Sequence, residues 1–204
     1  MKDLPEDAAI TYPNYFNLAS GKYRLKMAVR DQGNLIGTVE QPLDIPAIQT
    51  GQFATSSLVL SAELQPVSSL LGNMEAQLLD EKNPLVFNGT RVYQSVGRKF
   101  YRNGRLILFF AVYNLAIDPT SKAPTLLLSY SVMTQEKTVY EQPLTHMTEL
   151  PNMENGALPL ALIIPLKQFP AGIYTVQVMV RDGLTHATRF IHDQIVVEPE
   201  TPKK

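Results

Sequence analysis

Apolar and polar residues alternate with period two along most of the chain, the signature of strands that bury one face. Near the C-terminus Tyr174, Val176, Val178 and Val180 take one phase, and Thr175, Gln177, Met179 and Arg181 the other. An earlier segment does the same: Tyr23, Leu25, Met27 and Val29 are placed to point inward, with Lys22, Arg24, Lys26 and Arg30 outward. Slipping either strand by one residue would reverse every side chain, so both registers are well specified.

These two segments are copies of one pattern. Gly21-Lys-Tyr23-Arg-Leu25-Lys-Met27-Ala-Val29-Arg30-Asp31 matches Gly172-Ile-Tyr174-Thr-Val176-Gln-Val178-Met-Val180-Arg181-Asp182 without a gap, 151 residues later. Each copy runs into a turn and a returning strand. Asp31-Gln-Gly33-Asn34 leads to 35–45, and Asp182-Gly183 leads to 187–197. Glycine beside Asp or Asn supplies the positive φ of tight turns. Both returning strands then meet a proline, Pro46 or Pro199. The repeat is a hairpin.

Between the copies, strands are predicted at 54–63, 86–96, 105–115, 125–133, 137–145 and 158–166, separated by turn-rich stretches such as Asn103-Gly104 and Asp118-Pro119. With the last hairpin they make about eight strands, enough for a sandwich. Val67, Leu70, Leu71, Met74 and Leu78 have helical spacing, so 67–79 is read as a short helix. Pro170-Ala-Gly172-Ile-Tyr174 reads as a tyrosine corner, where a hydroxyl bonds backbone a few residues upstream and the glycine lets the chain turn. Tyr23 is its counterpart in the first copy.

The expected fold is therefore all-β: an immunoglobulin-like β-sandwich at 49–199, with a tail at 200–204. Residues 1–48 precede it as a β-hairpin that looks like the end of a second, truncated sandwich.

Several segments together resemble the C-terminal region of the acidobacterial VWFA-related proteins. They are Gly21-Lys-Tyr-Arg-Leu with Val29-Arg-Asp, Ser56-Ser-Leu-Val-Leu-Ser61, Asn83-Pro-Leu-Val-Phe-Asn-Gly-Thr-Arg91, Phe109-Phe-Ala-Val-Tyr113-Asn114 and Pro170-Ala-Gly-Ile-Tyr174. Their order and spacing carry the likeness. It implies a secreted or envelope-exposed bacterial protein in which a von Willebrand A domain precedes this region. The A domain's adhesion site needs Asp-x-Ser-x-Ser, which this sequence lacks, so its metal chemistry transfers to no residue here.

Composition adds limits. The formal net charge of -1 gives no global pull toward nucleic acid or anionic membrane. With no cysteine there is no disulfide, thiolate metal site or cysteine nucleophile. No apolar run is long enough for a membrane helix. Met1-Lys-Asp-Leu-Pro-Glu-Asp lacks a signal peptide's apolar region, so either the chain is cytoplasmic or it is a piece of a longer protein whose signal lies upstream, the alternative that secretion requires.

Candidate chemistry is sparse. The sequence has no Gly-x-Ser-x-Gly elbow, His-Glu-x-x-His or phosphate-cradling glycine loop. His146, His186 and His192 are read as surface residues. If 186 and 192 lie on one strand, they stand roughly 20 Å apart, too far for one metal. Arg91, Arg98, Lys99, Arg102 and Arg105 interleave with Tyr93, Phe100 and Tyr101. This segment is either a surface for an anionic polymer, single-stranded nucleic acid or a glycan, or a solvated rim around inward aromatics; the rim is the preferred reading, and no nucleic-acid partner is expected. The row Lys22, Arg24, Lys26 and Arg30 is read first as a guard against strand pairing, and second as a ligand site. Asn88-Gly-Thr90 matches a glycosylation sequon. Asp31 and Asp182 are read as opening their turns rather than binding calcium with Asp3, Glu6 or Asp7.

No catalytic residue, cofactor or metal is expected. The leading functional expectation is a non-enzymatic interaction or spacer module with a protein partner or neighbouring domain, including dimerisation through the N-terminal hairpin. The second is a carbohydrate-binding or hydrolytic accessory module using 91–105, with Arg91, Tyr93, Arg98, Lys99, Tyr101, Arg102 and Arg105 as its surface.

Overall fold

A computed structural model describes residues 16–30, 33–67, 83–151, 153 and 156–200. The chain divides into two units, Met1–Thr50 and Gly51–Lys204. The described residues are β-strands and their connections, with no α-helix among them.

In the first unit β1 (Gly21–Arg30) pairs antiparallel with β2 (Ile36–Ile45) in an unbroken register from Gly21↔Ile45 to Arg30↔Ile36. Tyr23, Leu25, Met27 and Val29 share a face with Leu43 and Val39, as the alternation predicts. That face is not the buried one the sequence suggests. Met27 is 50% and Val29 72% exposed, because two strands supply no second layer to cover them.

The second unit is a sandwich of two sheets. One runs β10 (Thr138–His146), β9 (Leu126–Met133), β12 (Gly172–Asp182), β13 (Thr188–Glu198) and β7 (Lys99–Tyr101). The other runs β11 (Ala157–Pro165), β8 (Arg105–Tyr113), β4 (Val59–Pro66), β6 (Thr90–Gln94) and β5 (Val86–Phe87). A two-residue strand, β3 (Ala54–Thr55), also pairs with β8. All pairings are antiparallel except β7 with β13. Between the sheets Leu106, Leu108, Phe110 and Val112 of β8 pack with Leu160 and Ile164, and with Tyr174, Val176, Val178 and Val180 of β12.

Sequence pattern explains the order of the strands. Proline cannot donate to a ladder, so it belongs at edges. Both fully formed outer strands carry it, β10 at Pro143 and β11 at Pro159, while β8, β9, β12 and β13 have none; inner β4 carries Pro66 only at its end, beyond its pairing with β8 at Val59–Ser61. The β8 run Leu106–Phe110 is continuously apolar because both its faces are covered. Leu106, Leu108 and Phe110 face the core, and on the other side Phe109 meets the Phe87 ring at 5.1 Å.

Three expectations change. The segment 86–96 is a tight hairpin rather than one strand, since Asn88 (φ 45°) and Gly89 (φ 67°) turn the chain between β5 and β6. The stretch 54–63 is split into β3 and β4, and β7 is an added strand, so the sandwich has more strands than the eight expected. Except for Val67, the predicted helix at 67–79 lies outside the described residues.

Candidate functional site

The basic-aromatic segment is dispersed over three strands. On β6, Tyr93 stands opposite Glu63 and Arg91 opposite Gln65, so these four side chains share a face. The Arg91 guanidinium lies 5.2 Å from the Tyr93 ring centroid, a cation–π contact. Arg98 takes a left-handed φ of 53° before β7 and reaches Asp193 at 3.3 Å; Lys99 reaches Glu198 at 3.4 Å. Both cations thus tie β7 to β13. Arg102 donates from Nε to the Lys167 carbonyl at 3.2 Å. Phe100 is buried in the core, whereas Tyr101 is 45% exposed. Tyr101 and Arg105 line a cleft of about 490 Å3 with Ala62, Asn103 and Gly104. Of the seven candidates, only these two meet at that cleft.

A second surface was not legible from alternation. On the outward side of the five-stranded sheet, register sets Phe190, Met179 and Ser129 in one row across β13, β12 and β9. The next row is His192, Gln177, Ser131 and Glu141. Phe190 is 58% exposed, and Ile173, further along β12, is 63% exposed. Small Ser129 and Ser131 leave a hollow of about 170 Å3 beside Met179 and Phe190. The available signal was the pair Phe190-Ile191, apolar in both phases of one strand.

At one end of the sandwich two loops share a single design. In Asp182–Ala187 the Asp182 Oδ1 accepts from the N–H groups of Leu184 (2.8 Å) and Thr185 (3.0 Å), and His186 closes the turn at φ 61° by donating to the Asp182 carbonyl. In Asp118–Ala123 the Asp118 Oδ1 accepts from Thr120 and Ser121, both at 2.7 Å, and Lys122 closes the turn at φ 57°. The loops are joined. Asp182 Oδ2 accepts from Ala116 N–H at 2.8 Å, and Gly183 N–H donates to the Thr125 carbonyl at 2.8 Å.

Burial alone would push the Asp182 carboxyl up. The N–H groups of Ala116, Thr185 and Leu184 outweigh it and hold the group below its ordinary 3.8. Backbone donors from Ser121 and Thr120 lower the half-buried Asp118 in the same way. Asp182 therefore opens its turn and braces a neighbouring loop, while Asp31, Asp3, Glu6 and Asp7 lie outside the described residues. A cleft of about 470 Å3 adjoins this end, lined by Phe53, Asn114, Ala116, Thr185 and Ala187 among others.

The histidines do not converge. His146 ends β10, His186 sits in the turn and His192 points outward from β13. Among the described residues no three His, Asp or Glu side chains come close enough to share a metal ion. No helix of the described residues is long and apolar enough to cross a membrane. Asn88 of the sequon is exposed at the tip of the β5–β6 turn. The chain matches no protein-family model and no curated protein.

Proposed function

We propose that this chain is a non-enzymatic interaction or spacer module of a secreted or envelope-exposed bacterial protein, following a von Willebrand A domain. The observation that carries the interaction role is the row Phe190, Met179 and Ser129 on the outward side of β13, β12 and β9. A large exposed ring beside a shallow hollow, on a sheet fixed by its own core, is suited to anchor a partner's side chain. The buried polar side chains support the same reading. Ser61 bonds the Glu63 backbone, Asn83 accepts from Leu85 N–H and Asp182 from three N–H groups, so each braces backbone. The family and compartment rest on the order of the resembling segments.

The coding sequence upstream of Met1 tests the placement. A signal peptide followed by an A domain with Asp-x-Ser-x-Ser is the expected finding; a different preceding domain, with no export signal, would contradict it. For the surface, a photo-crosslinker placed at residue 190 in the producing cells should capture one partner, and the same group at exposed Ile163 should not. Equal capture at both positions would refute the interaction role of the Phe190 row.

Tyr101 at its cleft favours a second reading, a carbohydrate-binding or hydrolytic accessory role. On that reading Tyr101→Ala abolishes binding to a glycan array, while Phe190→Ser leaves it unchanged.

A further inference from the structure

Among the described residues the repeated hairpin has one neighbour fewer than its counterpart in the sandwich. In the sandwich, β12 lies between two strands: β13 on one side, and β9 antiparallel on the other from Thr175↔Met133 to Asp182↔Leu126. The first copy reproduces β12 and β13 as β1 and β2, with a turn one residue shorter: Gly21 faces Ile45, whereas Gly172 faces Val197. It also reproduces the tyrosine bond, from Tyr23 Oη to the Ala19 carbonyl at 2.9 Å. Among the described residues nothing stands in the place of β9.

Chemistry marks this edge as an acceptor. Pro42 lies opposite Arg24. Since proline has no N–H to exchange, that pair must be a non-hydrogen-bonded one. Parity then directs the N–H and C=O groups of Lys22, Arg24, Lys26, Ala28 and Arg30 away from β2, to the outer edge. The same proline interrupts the outer edge of β2, where its donor would have been. Only β1 offers a complete ladder.

The two faces of β1 define what fits. One carries Leu25, half-exposed Met27 and exposed Val29. The other carries Lys22, Arg24, Lys26 and Arg30, against which the described residues of the hairpin set only Glu40 and Asp44. Lys22 reaches Asp44 at 4.0 Å, and Arg24 and Lys26 share Glu40 at 3.5 and 2.7 Å. A strand beside β1 would place its side chains next to this row, where carboxylates are favoured and cations repelled. A second copy fits poorly: β1 on β1 sets cations against cations, and β2 is blocked by Pro42.

We infer that the outer edge of β1 binds an extended segment of a partner polypeptide, alternately apolar and acidic, as an added antiparallel strand. This deepens the interaction role proposed above and rests on it, but at a separate surface from Phe190. The cation row then both discourages self-pairing and selects the partner.

The test is residue-resolved amide exchange on the full chain, with a synthetic nine-residue peptide alternating valine and glutamate and with its valine–lysine counterpart. The glutamate peptide should slow exchange at least tenfold at Lys22, Arg24, Lys26, Ala28 and Arg30, with a smaller change at the intervening residues that already face β2. The lysine peptide should have no effect. The double variant Lys22→Glu, Lys26→Glu should exchange the preferences of the two peptides. The inference is overturned by equal effects of both peptides, by no protection from either, or by protection that rises with chain concentration alone, which would make a second copy the occupant. A failure here leaves the crosslinking result at residue 190 standing, so the two readings fail separately.

Discussion

Two residues at the joined loops hold much of the sandwich's local order. A Cβ at Gly183 would stand 2.3 Å from Thr125 Cγ2 and 2.8 Å from its Cβ, so the Thr125 side chain and the strand that carries it would have to shift. Gly183→Ala should therefore destabilise the chain by about 2 kcal/mol in chemical denaturation. At Gly172 a Cβ would make ordinary contact with the Tyr174 ring at 3.7 Å, so Gly172→Ala should be much milder. That glycine has no positive φ, so it is not required for the chain to turn.

Asp182→Asn replaces a carboxylate that accepts three N–H bonds with an amide offering one oxygen, which should cost about 2 kcal/mol at neutral pH. The pH dependence follows from the depressed folded-state pKa. Folding favours the ionised form, so this stabilisation is fully present above the unfolded value near 3.8 and is lost as pH falls through the lower folded value. Urea midpoints measured from pH 6 to pH 2 should show the gap between wild type and Asp182→Asn narrowing in acid. A constant gap would show that the carboxylate charge is not what matters.

At the scale of elements, the corner tyrosine separates the two copies. Tyr174 Oη donates to the Pro170 carbonyl at 2.8 Å, and its ring is buried against Phe169 at 5.7 Å. Tyr174→Phe should lower stability by about 1 kcal/mol. Tyr23→Phe, in a hairpin without a core, should leave the main unfolding transition unchanged.

Alternation made the long strands legible: β8 through β13 fall close to their predicted bounds, whereas which of them are edges emerges only from their pairing. Short elements were opaque. β3, β5 and β7 span two or three residues and are fixed by their partners, Tyr113 and Val112, Arg91 and Thr90, and Val196 to Glu198, rather than by their own pattern. The candidate surfaces divide the same way. The cations at 91–105 were visible in sequence, but their partners Asp193, Glu198 and Lys167 lie at least 60 positions away along the chain, so their bracing roles were not. The row at Phe190 depends on the register of three strands.

For the molecule as a whole, one unit is a sandwich around its own core, while among the described residues the other is a hairpin with an uncovered apolar face and an unpaired β1 edge. An isolated two-stranded hairpin is marginal in water, whereas the sandwich has a continuous core. Amide hydrogen exchange of the free chain at two concentrations tests this most directly. Amides of β8, β9 and β12 should exchange only through global unfolding. Those of β1 and β2 should exchange at least a hundredfold faster, equally at both concentrations. Protection of β1 equal to that of β12, or protection that grows with concentration, would contradict the account.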